Sequence, residues 1–351
     1  MINLQSNYPV LAEQDADWNR LLHSAVDRFA PESIRLPAFG GSMENRRLAA
    51  TWLDVPVERV FIAEAGYHAL IAAVMGAGLV GKTVAVEALT YPWFVRQAQM
   101  LNMRVVPVAM DGECMQPEAL RAVCEREPIA AIYTMPSMHN PTGATASLVR
   151  RKAMVEVARE FDLTIIEDGA YGFLVADEPP RYVALAPERA FYVESLSKRV
   201  APGLRTAFLV APSRFAADAE LALRVTTSGS STLLASLGCS MAADGSLAAV
   251  IQAKRVEGTL RSAKAVDILA GLEMIAGANS WHLWVTLPEG VGSDDDVERA
   301  CEERGVLITG ARWFTAPETV VPRAVRVGLG GETEWERVAE GLRIFAQIVR
   351  G

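Results

Sequence analysis

Between Phe61 and Val210, short apolar runs of β character alternate with segments of helical spacing. That alternation restricts the fold of this chain more than any other feature. The runs fall at Phe61–Ala63, Thr83–Glu87, Arg104–Val108, Ile129–Thr134, Leu163–Glu167, Ala190–Glu194 and Thr206–Val210, with helical segments such as Ser147–Phe161 between most of them. Near-continuous apolar strands separated by helices predict a mostly parallel sheet covered on both faces. Ligands of such sheets bind beyond the carboxyl ends of the strands. Tyr91, Asn140, Asp168 and Lys198 all lie just after strand-like runs, so the pattern brings them to one edge.

The texture changes after about residue 212. Helical spacing dominates Phe215–Leu272, with an interruption near Thr226–Ser231, and β-like runs follow at His282–Leu287 and Val325–Gly328. Asp294–Arg304 and Glu334–Val349 read as helices, which makes the C-terminal third a smaller α+β unit. At the other end, an extended arm leads into a helix over Asp17–Phe29, and a second helix is predicted over Arg46–Leu53. A length of 351 residues with 51% hydrophobic side chains suits one large α/β unit and a small companion. The net charge of -8 gives no basic footprint for nucleic acid. Cys114, Cys124, Cys239 and Cys301 are too scattered for a disulfide framework or a zinc site, and the four histidines lack ligand spacing, so no metal is expected. The N-terminus has no basic segment followed by an apolar run, and no stretch nears 18 apolar residues. The expectation is a cytoplasmic protein with neither signal peptide nor membrane span.

One lysine stands out chemically. Glu194-Ser195-Leu196-Ser197-Lys198-Arg199-Val200-Ala201-Pro202-Gly203-Leu204-Arg205 joins two apolar strand-like runs. Desolvation in such a place disfavours the charged ammonium. A lysine pushed toward neutrality is a nucleophile, suited to a Schiff base with a carbonyl cofactor. The serines before it and Arg205 after it could hold an anionic group such as phosphate. Phe61–Ala63 running through Gly66 into a helix start offers free backbone N–H groups, a second phosphate seat. Two further stretches complete the pattern. Ile165-Ile166-Glu167-Asp168-Gly169-Ala170-Tyr171 puts an acid at the end of an apolar run, and Pro136-Ser137-Met138-His139-Asn140-Pro141-Thr142-Gly143 ends another in a rigid turn.

Asn-Pro-Thr-Gly, then Asp-x-x-Tyr, then Ser-x-Ser-Lys with Pro-Gly-Leu-Arg, in that order, resemble the pyridoxal-phosphate (PLP) enzymes of fold type I. The likeness is to the class I/II aminotransferase family, and most of all to the aminotransferase-like domain of MocR-type proteins. It extends over nearly the whole chain. The resemblance implies a seven-stranded, mostly parallel sheet sandwiched by helices, with one antiparallel member because the loop around Lys198 is too short for a crossover. It divides the chain into an arm and helix (1–30), a large PLP-binding domain (31–245) and a small C-terminal α+β domain (246–351). It also implies a homodimer with shared sites, and amino-acid and 2-oxo-acid substrates.

Residue by residue, the resemblance makes Lys198 the residue that forms the aldimine and carries the proton. Asp168 becomes the partner of the pyridine nitrogen, although a helix N-cap is the other reading of an acid after a strand. Asn140 and Tyr171 match the pair that holds the phenolic oxygen, and Tyr91 the aromatic stacked on the ring. Ser195, Arg205 and the backbone N–H groups of Gly66 and Tyr67 hold the phosphate. Arg326 in Ala324-Val325-Arg326-Val327-Gly328 matches the arginine that takes the substrate α-carboxylate, with Asn140 beside it; a structural ion pair is the competing reading. Trp313, Phe314 and Arg312 lie near where the family closes over substrate.

The chain departs from the family in two places. Tyr67 and His68 stand where a small hydroxyl and Gln or Gly are usual. Leu36-Pro37-Ala38-Phe39-Gly40-Gly41 lacks the tyrosine that reaches the partner's phosphate, a contact left to Tyr8 or to the hydroxyl run Thr226–Thr232. The arm Ile2–Val10 is expected to lie on the neighbouring subunit. Two function classes follow: an aminotransferase, with lyase, decarboxylase or racemase outcomes on the same chemistry, or a non-catalytic PLP- or effector-binding module. The match begins within the first residues and leaves no room for a winged helix ahead of it, which favours the enzyme.

Overall fold

The computed structural model describes residues 1–351. Seven strands, β1 (Val60–Ala63), β2 (Thr83–Glu87), β3 (Arg104–Val108), β4 (Ala131–Thr134), β5 (Thr164–Asp168), β6 (Ala190–Ser195) and β7 (Ala207–Val210), form one sheet in the order β1-β7-β6-β5-β4-β2-β3. All neighbours are parallel except at β7, which runs antiparallel to both β1 and β6. The segment from β6 to β7 holds only short helical turns, too little chain for the crossover that a parallel pair needs.

Side chains alternate between the two faces with the period of a strand. Ile62, Ile132, Ile165 and Phe208 enter one core, while Phe61, Tyr133, Ile166 and Leu209 enter the other. Both faces are therefore buried, which is why these strands read as unbroken apolar runs. Each large side chain so enclosed contributes roughly 1.5–3 kcal/mol. The alternation also sets where the candidate residues fall, because β5 ends at Asp168 and β6 at Ser195, three residues before Lys198.

A third core belongs to the C-terminal region. Met274–Ile275, His282–Thr286, Ala324–Gly328 and Thr309–Gly310 make an antiparallel sheet in that order, packed on the helices Asp294–Glu303 and Trp335–Arg350. Ile2 and Leu4 complete this core. Ile2–Asn3 pairs in parallel with Val306–Leu307, and the Gly328 amide donates to the Leu4 carbonyl at 2.7 Å. The first residues of the N-terminal arm thus pair with the C-terminal region of their own chain.

Several boundaries differ from the sequence reading for local reasons. The helix expected from Arg46 starts at Met43, because the Ser42 hydroxyl caps the Asn45 amide. The strand expected from Ile129 starts at Ala131. The expected break near Thr226–Ser231 is present, but a second one falls at Gly245, whose φ of +84° ends Thr232–Asp244 and begins Ser246–Ile268. No single helix is both long and apolar enough to cross a membrane.

Gly41 shows how tightly the segment before Met43–Leu53 is held. Its φ is +93°, and a Cβ there would lie 2.3 Å from Ile62 Cγ1. Gly41→Ala is expected to cost about 2–4 kcal/mol, from left-handed backbone strain together with overpacking. Thermal unfolding checks this, and an unchanged Tm contradicts it.

Candidate active site

Lys198 sits in a single helical turn, Leu196–Arg199, directly after β6. Ser195 caps that turn by accepting from the Ser197 amide at 3.3 Å. A buried ion pair between Arg199 and Glu194 anchors its far side. The Lys198 amine points into a narrow inner cavity of about 50 Å³ that Gly66, Tyr67, Tyr91, Asp168, Tyr171, Ser195 and Arg205 also line. The Tyr8 ring lies over Nζ, 3.1 Å from its centroid. Burial, and then the nearby Arg326 charge, push the Lys198 pKa well below the ordinary lysine value, against a smaller opposing pull from Asp168. The amine is therefore biased toward its neutral, nucleophilic form.

Asp168 is buried at the end of β5. Its Oδ2 accepts from the Tyr133 hydroxyl at 2.9 Å and its Oδ1 from the Ala170 amide at 3.0 Å. Burial raises its pKa to about 6, even though both hydrogen bonds favour the anion. Tyr133 is itself fixed by stacking on Phe94, with centroids 3.7 Å apart. Tyr91 lines the inner cavity and donates from its hydroxyl to that of Tyr67.

Groups able to hold an anion gather at the other end of the inner cavity. The helix Gly66–Gly76 opens here without a side-chain cap, so its first N–H groups have no acceptor within the helix. A Cβ on Gly66 would lie 3.2 Å from Ser195 Cβ, which keeps the two segments close. Arg205 is exposed and adopts φ +47°, a strained value for a non-glycine residue. His68 turns away from the cavity toward Thr226, with Nε2 2.7 Å from Oγ1.

An outer cavity of about 480 Å³ continues past Tyr8, Tyr91, Tyr171 and Lys198 to Asn140 and Arg326. Arg326 is buried, donating from Nη1 to Asn140 Oδ1 at 2.7 Å and from Nη2 to the Gln5 carbonyl at 2.6 Å, while its Nε has no partner. None of the ion pairs in the chain involves it, so the structural ion pair weighed from sequence is absent. A guanidinium enclosed without a counter-anion is costly unless an anion joins it. Asn140 is placed by its loop, which Arg151 braces by donating to Ser137 Oγ at 2.6 Å and the Pro136 carbonyl at 3.2 Å while pairing with Glu167 at 3.5 Å.

The ten residues given a cofactor, substrate or catalytic role from sequence all line one or both cavities. Other placements differ from expectation. Tyr8, considered for a cross-subunit contact, occupies its own chain's site. Thr226 and Thr227 bond carbonyls of their own helix and Ser230 the Ile62 carbonyl, so much of the hydroxyl run has a use within one chain. Arg312 pairs with Asp294, Asp295 and Glu298, leaving Trp313 and Phe314 to line the outer cavity. Tyr171, matched to a cofactor contact, donates here to the Asn7 carbonyl at 3.0 Å. The sequence reading missed Tyr133, Gln5 and Asn7. Only the position of Tyr133, one residue from the end of a buried strand beside β5, offered a signal.

The sequence profile of the family Aminotransferase class I and II matches residues 1–342. This chain belongs to that family. Among its relatives, the HTH-type transcriptional regulator YdeF of Bacillus subtilis is 28% identical over 297 residues, 84% of this chain and 64% of YdeF. The chain therefore spans less than two thirds of that relative's length. The 2-aminoadipate transaminase of Thermus thermophilus is 26% identical over 332 residues, 87% of this chain and 79% of that enzyme. In the same organism, the structure of α-aminoadipate aminotransferase LysN, complexed with N-(5'-phosphopyridoxyl)-L-leucine, superposes with a TM-score of 0.89. It is 22% identical and covers 100% of this chain and 92% of that one, which establishes the fold type I architecture for this member of the family.

Proposed function

We propose that this chain is a pyridoxal-phosphate-dependent aminotransferase that moves an amino group between an amino acid and a 2-oxo acid. One observation carries the reading: a buried lysine biased toward neutrality and a buried arginine without a counter-anion face the same pair of connected cavities. The donor set fits the cofactor. Asp168 would hold its ring nitrogen, Tyr91 its face, and Asn140 with Tyr171 its phenolic oxygen. The N–H groups of Gly66 and Tyr67, with Ser195 and Arg205, would hold its phosphate. Bound there, pyridoxal phosphate supplies an electron sink for charge developing at the substrate α-carbon. The α-carboxylate is oriented by Arg326, and Lys198 Nζ takes and returns the α-proton. LysN, which shares the fold and holds a phosphopyridoxyl amino acid, supports the choice of cofactor.

Arg326→Ala is expected to weaken the substrate's ground-state contact by about 2–4 kcal/mol. The readout is KM for an amino acid against an amine lacking the carboxylate. Equal turnover of both by the parent protein contradicts the role.

Asp168 also sets a pH limit. Because its pKa is raised to about 6, the carboxylate gains a proton as pH falls through that value and loses the charge that would hold a protonated ring nitrogen. Cofactor uptake by the apoprotein, followed by fluorescence quenching, should weaken progressively below pH 6 and be level above pH 7. A flat profile from pH 5 to 8 contradicts this.

A second reading, an effector-binding module without turnover, draws on the likeness to the regulator YdeF. It predicts cofactor binding with no conversion of any amino acid. We also propose a homodimer. Ile34 and Leu36 are 86% and 75% exposed, beside a cavity lined by Arg35, Ser42, Asn45, Ser230 and Thr232. Sedimentation equilibrium at micromolar concentration should give twice the mass of the chain, and an active monomer contradicts the dimer.

A further inference from the structure

Lys254 is the one fully buried lysine outside the two cavities, in the middle of Ser246–Ile268. Its amine donates to the carbonyl of Lys198 at 3.1 Å and to that of Val200 at 2.7 Å. No carboxylate pairs with it, and burial alone pushes its pKa down to about 7. A neutral amine still has two N–H groups, so both carbonyls remain satisfied in either protonation state.

A single helical turn cannot hold its own shape, and its last carbonyls have no partner within it. Val200 N closes the turn on the Leu196 carbonyl at 2.7 Å, and the chain then leaves helical geometry at Val200 with φ -109° and ψ -85°. The Lys198 and Val200 carbonyls take no backbone partner. Lys254 reaches both from below, and Gln14 Nε2 in the N-terminal helix reaches the Val200 carbonyl from another side. Lys254 is fixed in turn, because its own carbonyl accepts from Trp281 Nε1 at 3.0 Å and Trp281 is fully buried.

We propose that Lys254 is a positioning residue: by clamping the Lys198 and Val200 carbonyls it holds the turn so that the Lys198 side chain stays enclosed in the inner cavity. The inference rests on the reading of Lys198 given above. Without the clamp the turn relaxes, the Lys198 amine gains access to water, and its pKa rises toward the ordinary lysine value. A lysine whose only service was to fill space would leave Lys198 unchanged when replaced by an apolar side chain of similar length.

The test compares the parent with Lys254→Met and Lys254→Arg. In the apoprotein, acetic anhydride labelling of Lys198 is followed by mass spectrometry across pH. The holoproteins are compared for kcat and KM. In Lys254→Met, the labelling midpoint should move up by about one unit or more, and kcat should fall at least tenfold with KM nearly unchanged, as displacement of a reacting group predicts. Lys254→Arg, which keeps two donors, should recover most of both. If Lys254→Met does not fold, Gln14→Ala must move the midpoint in the same direction by less. A midpoint identical to the parent's in the folded variants overturns the inference. A parent with no borohydride-reducible bond at Lys198 overturns the functional reading instead, while the apoprotein labelling still decides the role of Lys254.

Discussion

Lys198→Ala is expected to abolish the borohydride-reducible bond to the cofactor and to lower turnover by about 10⁴-fold or more, since the proposed function makes one side chain both nucleophile and proton carrier. The fold should survive. Lys198 makes no side-chain hydrogen bond and no ion pair, and enclosure disfavours its charged form. Removing it relieves a desolvated amine, so Tm should stay level or rise. Absorbance with and without borohydride, read beside a melting curve, separates loss of chemistry from loss of structure. A variant that keeps the reducible bond places the nucleophile elsewhere.

Asp168→Asn should have the next largest effect. The amide oxygen can still accept from the Ala170 backbone, and its NH2 can donate to the Tyr133 hydroxyl oxygen in place of the bond that Tyr133 now gives, so the side chain keeps its position while its charge is lost. Removing a charge aimed at the reacting system costs on the order of 10²-fold or more. The loss should fall on kcat, with cofactor still bound, and with a primary isotope effect at the α-deuterium larger than in the parent. Unchanged kinetics would show that Asp168 serves only as a cap after β5.

Much of this arrangement can be read from the sequence for a physical reason. Strands buried on both faces write themselves as apolar runs, and Asp168, Ser195 and Lys198 follow such runs within four residues. The site then falls where the strands end. Tertiary choices leave no such trace. Ile2 and Leu4 are apolar whether they cover the chain's own C-terminal core or a neighbour's, and only the pairing of Ile2–Asn3 with Val306–Leu307 decides it. Buried polar braces are equally silent. Arg151 reads as one of several charges on an exposed-looking helix, yet it is fully buried and holds the loop of Asn140. Tyr8 reads as part of an arm, and its place over Lys198 depends on where that arm is tied. The break at Gly245 was missed although Asp-Gly-Ser, a turn signal, stands there between two helical stretches.

The most direct measurement of the central claim is a two-step absorbance experiment on the cofactor-loaded protein. An amino acid from a panel is added without acceptor, the excess is removed, and a 2-oxo acid follows. The predicted result is a stoichiometric loss of the visible cofactor band with release of the matching 2-oxo acid, and full return of the band on adding the second. A band that no amino acid changes, or one whose change is accompanied by ammonia or carbon dioxide and is not reversed by a 2-oxo acid, would contradict amino transfer by this chain.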